Sequence, residues 1–157
     1  MGAWNTTSEH PGSQHLGSVL IVDDDPAIIR LIDRLLANHY HEAVTRLSAP
    51  DARSAEQIIR NELVDLVITD LSMGDVSGFR LVHWLKGWDP LIQVLVVTGN
   101  ESPEALRRAC AEGACDYFVK PFRRLELLQS VDFALKRMRR WDGILAHAEV
   151  DELGSCI

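Results

Sequence analysis

The sequence predicts an α/β domain built on a parallel sheet, and two observations lead to this fold class. Five short apolar runs alternate along the chain with five segments whose apolar residues recur at helical spacing. Strands covered on both faces are almost continuously hydrophobic, and parallel strands require crossovers long enough to hold a helix. The alternation therefore favours five parallel strands with helices packed on both faces of the sheet.

The element boundaries follow from the same patterns. The predicted strands cover residues 19–22, 42–47, 63–69, 92–97 and 117–119, of which the second is the weakest. The predicted helices begin near residues 26, 51, 79, 103 and 123, and the last ends near residue 140. Pro26 suits a first helical position, so Asp25 before it is the predicted N-cap.

The chain length of 157 residues indicates one domain, which we place at residues 18–140. Residues 1–17 are polar and aperiodic, and they are expected to form a disordered leader. Residues 141–157 are expected to be a tail or the start of a linker to an output domain. Apolar residues at heptad-like spacing up to Leu145 leave open a continuing helix, but Asp142 and Gly143 interrupt that pattern and favour a frayed tail.

Composition limits the function classes. The formal net charge of −7 gives the chain no electrostatic bias towards nucleic acid. No apolar run approaches the roughly 18 residues of a membrane span. The three cysteines lack a CxxC spacing, which favours a reduced, cytoplasmic setting. Cys110 and Cys115 are expected to be buried small apolar groups, and Trp84 and Trp88 to be packing residues.

The polar residues that follow the strands are the candidate site. In open parallel sheets, ligands bind beyond the carboxyl ends of the strands, so residues far apart in sequence meet there. The residues predicted to converge are Asp23, Asp24, Asp70, Thr98 and Lys120.

This combination of side chains fits phosphoryl transfer. Three adjacent carboxylates repel one another unless a cation neutralises them, and Mg2+ prefers such oxygen ligands while it retains several waters. An aspartate can attack phosphorus as a nucleophile, and the metal and Lys120 would stabilise the transferring charge. Thr98 offers a hydroxyl to a phosphoryl oxygen. Asp25, in contrast, is interpreted as a helix cap and not as a metal ligand.

Four segments carry a family resemblance. They are VLIVDDDP at 19–26, LVITDLSM at 66–73, VLVVTG at 94–99 and DYFVKPF at 116–122. With them, the chain from about residue 17 to 140 resembles the receiver domains of bacterial response regulators. The resemblance implies a flavodoxin-like, doubly wound (βα)5 fold whose strand order is 2-1-3-4-5.

The resemblance also implies roles for the site residues. Asp70 would be the phosphoacceptor, Asp24 a direct ligand of Mg2+, and Asp23 a ligand acting partly through water. Ser72 would add its backbone carbonyl to the metal, for which Mn2+ or Ca2+ could substitute. Lys120 would pair with the phosphate and form a cis peptide with Pro121.

Two further residues are expected to carry the signal. The resemblance makes Thr98 the switch hydroxyl and Tyr117 the switch aromatic, which would alter the surface of the fourth helix, fifth strand and fifth helix. That surface is a candidate for a homodimer. The implied partner is a sensor histidine kinase or a phosphotransfer protein, with an output domain in a longer chain. The domain itself is expected to touch neither nucleic acid nor membrane.

The expected function is a phosphorylation-dependent switch of a two-component system. It would not be a classical enzyme, because it would catalyse only its own phosphorylation and dephosphorylation. One alternative is a haloacid-dehalogenase-like phosphatase, but that class has a second Asp where this chain has Ser72, and no cap domain is evident. The other is a phosphate-independent interaction module. The sequence departs from the family at Gly74, where the family usually has Pro, and we expect a looser loop there.

Overall fold

The computed structural model describes residues 14–74 and 77–154. In this part of the chain, strands and helices alternate without exception. The elements are β1 (Gly17–Val22), α1 (Pro26–Tyr40), β2 (Val44–Ala49), α2 (Ala52–Asn61), β3 (Leu66–Thr69), α3 (Gly78–Trp88), β4 (Gln93–Thr98), α4 (Pro103–Glu112), β5 (Asp116–Val119) and α5 (Arg124–Gly154). All four strand pairs are parallel, and the strand order is β2-β1-β3-β4-β5. The predicted fold class and the implied strand order are confirmed.

Both faces of the sheet are covered, as the continuous apolar runs predicted. Along β1, Val19 and Ile21 belong to a core with α1 and α5. Leu20 and Val22, on the opposite face, belong to a core with α2 and α3. Since every residue of β1 is buried, the strand has no solvent-facing side and needs no polar alternation.

Local signals set several of the element ends. The Asp25 carboxylate accepts a hydrogen bond of 2.8 Å from the Ala27 N–H, which confirms the predicted N-cap of α1. The Lys120–Pro121 peptide is cis, as the resemblance implied. The third strand begins at Leu66, later than predicted. Leu63 is 89% exposed, and the register partners between β1 and β3 start with the pair Val19 and Leu66.

The ends of the domain differ from the prediction. Residues 1–13 of the expected leader and 155–157 of the expected tail lie outside the described residues. Gly17 already belongs to β1, and the Leu16 N–H donates to the Ala43 carbonyl at 2.7 Å. The expectation that the last helix ends near residue 140 is wrong, because α5 continues to Gly154. A single glycine inside a helix costs only about 1 kcal/mol, so Gly143 does not terminate it.

Two expectations about surface residues also need correction. Cys110 and Cys115 are exposed, not buried. Nevertheless, the Cys115 thiol turns inwards and donates to the Val94 carbonyl at 3.0 Å, and burial of the sulfur raises its pKa. Trp84 packs against the α2–α3 core as expected, whereas Trp88 is 49% exposed and stacks on Trp84. Among the described helices, none is both long and apolar enough to cross a membrane.

Candidate functional site

The carboxyl ends of β1 and β3 bring the acidic residues together. Val22 and Thr69 are register partners in the sheet, so the residues that follow them emerge side by side. The Asp70 N–H donates to the Val22 carbonyl at 3.1 Å, which continues this pairing to Asp70 itself. As a result, one carboxylate oxygen from each of Asp23, Asp24 and Asp70 lies within 4.8 Å of the others.

Lys120 reaches the same place from the end of β5. Its ammonium nitrogen donates to Asp23 Oδ2 at 2.7 Å and to Asp70 Oδ2 at 2.9 Å. Its backbone N–H donates to the Thr98 carbonyl at 2.8 Å, which links the ends of β4 and β5. The predicted convergence of strand-end residues is therefore observed, although they lie up to 97 positions apart.

The Asp70 carboxyl is buried but kept ionised. Only 6% of the residue is exposed, and this burial by itself raises the pKa. The Ser72 N–H, at 3.0 Å from Oδ1, acts in the opposite direction together with the Lys120 ammonium and the Thr98 hydroxyl. The balance leaves the Asp70 pKa below its ordinary value, so the carboxylate remains negatively charged at neutral pH.

Asp23 and Lys120 shift in ways that reflect the same contacts. Burial raises the pKa of Asp23 above its ordinary value, although Lys120 and the Asp25 N–H, 2.8 Å from Oδ1, partly offset the rise. Burial lowers the pKa of Lys120, but its bonds to Asp23 and Asp70 outweigh that effect and the net shift is upwards. The ammonium therefore stays charged between two carboxylates, while Asp24 faces solvent.

The donor set of this cluster fits a hard divalent cation. Three carboxylates with oxygens within 4.8 Å of one another carry more negative charge than one Lys120 neutralises. Hard cations of the magnesium type take one or two such carboxylates and fill their other positions with water or phosphate oxygens. Exposed Asp24 leaves a side of the cluster open to solvent, so a cation has a path of entry.

Thr98 and Tyr117 meet at the loop between β4 and α4. Thr98 is fully buried at the end of β4, and its hydroxyl accepts the Asn100 N–H at 3.3 Å. The Tyr117 hydroxyl donates to the Asn100 carbonyl at 2.6 Å. Neither contact of Asn100 was predictable from the sequence, because Thr98 lies at the end of β4 and Tyr117 lies in β5, and no local pattern links these two residues to Asn100.

Two glycines after Asp70 have different structural roles: Gly74 lies in the loop, and Gly78 is the first residue of α3. A Cβ atom at Gly78 would lie 2.0 Å from the Asp70 carbonyl oxygen, so only glycine lets α3 begin this close to Asp70. Gly74 has a φ of 49°, which proline cannot adopt because its ring fixes φ near −65°. The departure from the family therefore gives this loop a turn that the usual Pro excludes.

Comparison with known proteins identifies the family. The model of the response regulator receiver domain matches residues 19–132. The chain belongs to the response regulator receiver domain family. This receiver domain is 35% identical over 118 residues to the heme response regulator HssR of Staphylococcus saprophyticus, a match that covers 75% of the chain and 51% of HssR. It is 34% identical over 116 residues to the two-component response regulator ORR24 of Oryza sativa, covering 72% of the chain and 18% of ORR24.

Solved structures agree with this assignment. A CheY-like response regulator receiver domain protein from Methanospirillum hungatei superposes with a TM-score of 0.73 at 27% identity, covering 79% of this chain and 97% of that one. The signal receiver domain of an HD domain-containing protein from Pseudomonas fluorescens gives a TM-score of 0.74 at 26% identity, covering 79% and 98%. The chain thus spans nearly the whole length of these two solved receiver domains. It spans about half or less of the length of HssR and ORR24.

Membership of this family indicates the general role of the domain. Receiver domains are the signalling switches of two-component systems and act with histidine kinases or phosphotransfer proteins. The acidic cluster of this receiver domain is consistent with the phosphorylation site of that family and could bind a divalent metal. No finding supports the phosphatase or the phosphate-independent module. Relatives occur in plants as well as bacteria, so the family is broader than the bacterial one first expected.

Proposed function

We propose that Asp70 accepts the phosphoryl group of this receiver domain, with Mg2+ held by Asp23, Asp24, Asp70 and the Ser72 backbone carbonyl. The observation that carries the proposal is the Lys120 ammonium, which bonds to both Asp23 and Asp70 beside a third carboxylate. Mn2+ or Ca2+ would substitute, because each takes carboxylate and carbonyl oxygens.

The residues of the chain divide the chemistry between them. Asp70, held ionised, supplies a carboxylate oxygen that forms a bond to phosphorus, while the bond from phosphorus to the donor's leaving atom breaks. Lys120 is already 2.9 Å from Asp70 and needs only a short movement to reach a phosphoryl oxygen. Bound metal would neutralise charge on the phosphoryl oxygens. The chain catalyses only this transfer and the later hydrolysis, so it is not a classical enzyme.

Phosphorylation would then reach Tyr117 through Thr98. The phosphoryl group adds negative charge and three acceptor oxygens, to which the Thr98 hydroxyl can donate. Because Thr98 and Tyr117 both bond to Asn100, movement of Thr98 changes the loop that holds the Tyr117 hydroxyl. The surface formed by α4, β5 and α5 would change with it, and exposed Phe133 and Leu106 make that surface suitable for a homodimer.

The wider setting is proposed on the same basis. A sensor histidine kinase or phosphotransfer protein would donate the phosphoryl group, and an output domain in a longer chain would receive the signal, since the relatives are longer than this chain. Cys110 and Cys115 are free cysteines and form no disulfide, which fits a reducing, cytoplasmic environment. The net charge of −7 offers no support for nucleic-acid binding by this domain.

Labelling with acetyl phosphate and Mg2+ tests the acceptor. The unaltered chain is expected to form a hydroxylamine-sensitive phosphoprotein, and Asp70→Asn or removal of the metal with EDTA is expected to abolish it. Asp142→Asn, a carboxylate on the exposed part of α5, is the matched control and should label normally. Undiminished labelling of Asp70→Asn would refute the assignment. Repeated turnover of small phosphoesters would favour the phosphatase, and no labelling at all the phosphate-independent module.

A further inference from the structure

The last turns of α5 project beyond the sheet. Among the side chains of α5 that the structure describes, Met138 is the last buried one, and those of residues 139–148 are half-buried or exposed. The helix nevertheless continues to Gly154. Isolated helices shorter than about 12–15 residues are marginal in water, and an interior glycine such as Gly143 weakens them further. The projecting turns therefore receive little support from the described part of the domain.

One face of these projecting turns is apolar. Helical spacing, at i, i+3, i+4 and i+7, puts Trp141, Ile144, Leu145 and Ala148 on that face. The first three line a cavity of about 200 Å³ together with Leu91, from the turn between α3 and β4. Ile144 is 57% exposed and Leu145 is 49% exposed, so the domain leaves this surface largely open. We call these five residues the α5 tail face.

The sequence around the α5 tail face is complementary to itself. Four basic residues precede the face within residues 136–140, and the acidic segment Glu-Val-Asp-Glu follows it at 149–152. When two copies of the helix run antiparallel, the basic turn of each lies beside the acidic turn of the other, whereas a parallel pair brings like charges together. The antiparallel order also sets the bulky Trp141 of one copy opposite the small Ala148 of the other, which favours close packing.

We infer that the α5 tail face binds a second copy of this chain, through an antiparallel contact between the two α5 helices. Such a contact is isologous, because the same residues of both copies meet across a two-fold axis. Two short helical segments bury less than the roughly 1,200 Å² of a standard stable interface, so the dimer should be weak and reversible. The contact is separate from the surface formed by α4, β5 and α5, and it does not depend on the proposed function of Asp70.

Sedimentation velocity of the 157-residue chain over a concentration series, without metal or phosphodonor, measures the association. The sedimentation coefficient of the unaltered chain is expected to rise with concentration towards that of a dimer. Leu145→Glu would bury a charge at the centre of the contact and should weaken association about tenfold or more. Leu125→Glu is the matched control and should associate normally, because Leu125 is 74% exposed at the start of α5, outside the tail face.

The salt dependence tests the antiparallel order. Raising the salt from about 0.1 M to about 1 M shortens the Debye length from about 10 Å to about 3 Å, so opposite charges attract less and association should weaken. Arg140→Gln should weaken association about two- to fivefold at low salt, as the loss of an exposed ionic contact implies. A parallel pair would instead associate more tightly as the salt rises, and that result would overturn the inference.

Two other outcomes would also contradict the inference. A chain that stays monomeric up to about millimolar concentration would show that the α5 tail face binds no second copy. Association that survives Leu145→Glu but is lost in Phe133→Glu would assign the dimer to the surface formed by α4, β5 and α5. Because none of these measurements requires phosphorylation, their failure leaves the proposed function of Asp70 intact, and failed labelling of Asp70 leaves this inference intact.

Discussion

α1 and α4 begin in the same way but are attached to the sheet differently. Each starts with a proline behind a capping side chain: Asp25 accepts the Ala27 N–H, and Ser102 accepts the Ala105 N–H at 3.1 Å. Their buried faces have little in common. α1 buries Ile32, Leu36 and Tyr40, whereas α4 buries two alanines.

This difference separates a fixed element of the fold from one that can move. Large aliphatic side chains bury much apolar surface in the core, so displacing their helix costs much free energy. A helix that packs through alanines buries less apolar surface, and displacing it costs less. Local signals for starting a helix are therefore poor guides to its rigidity. If the buried faces fix the two helices unequally, substitutions in α1 and α4 should change stability by different amounts.

The largest expected effect is on the core under α1. Leu36→Ala should lower the free energy of unfolding by about 2–5 kcal/mol, because it removes a fully buried side chain and leaves a cavity. Leu106→Ala, on the exposed side of α4, should lower it by about 0.5 kcal/mol or less. Urea unfolding followed by circular dichroism measures both. Similar losses for the two variants would remove the contrast between the helices.

An intermediate effect is expected at the last residue of α1. Burial and a hydrogen bond of 2.7 Å to Asp132 raise the pKa of Tyr40 above its ordinary value of 10.0. Tyr40→Phe should lower the free energy of unfolding at neutral pH by about 1–2 kcal/mol. Below pH 10 the Tyr40 hydroxyl is neutral in the folded and in the unfolded protein. Above pH 10 it ionises first in the unfolded protein, so the stabilisation is lost as the pH rises.

The pH dependence makes this a sharper test than a single stability value. The unfolding free energy of the unaltered chain should fall above about pH 10, and Tyr40→Phe should fall less steeply over the same range. Thermal or urea unfolding between pH 8 and about pH 11 would record both curves. Curves that remain parallel would show that Tyr40 does not couple α1 to α5 in the way that its hydrogen bond implies.

The smallest effect concerns the caps that α1 and α4 share. Asp25→Ala and Ser102→Ala each remove one capping acceptor, worth about 1 kcal/mol. In α1 the loss should appear in global unfolding, whereas in α4 it should appear chiefly as faster exchange of the amides of that helix, because a weakly attached helix opens locally. Equal loss of global stability in both variants, with no change in α4 exchange, would contradict that division.

The fold and the meeting of the site residues were predictable from the sequence for one reason. Apolar runs, caps and strand-end polar residues are local signals, and parallel topology carries those strand ends to one edge of the sheet. The contact between Lys120 and Asp23, across 97 positions, follows from that topology without any long-range information in the sequence itself.

Features that depend on competition between neighbours were not predictable. The interruption at Asp142 and Gly143 favoured a helix end, yet flanking residues of good helix propensity carry α5 past it. The thiol of Cys115 finds a buried carbonyl while the residue as a whole is exposed. The contact of Arg108 with Phe79 depends on how two helices cross, which neither helix specifies alone.

Gly78 shows that the geometry of a site can depend on a residue that has no side chain. Even a methyl group there would collide with the main chain of Asp70, because the Asp70 carbonyl oxygen already fills the space. A larger residue would force the Asp70 main chain or the start of α3 to shift, which would disturb the contact between Asp70 and Lys120 although no charged group is changed. Steric exclusion therefore restricts position 78 to glycine, although Gly78 contributes no side chain to any contact of the acidic cluster.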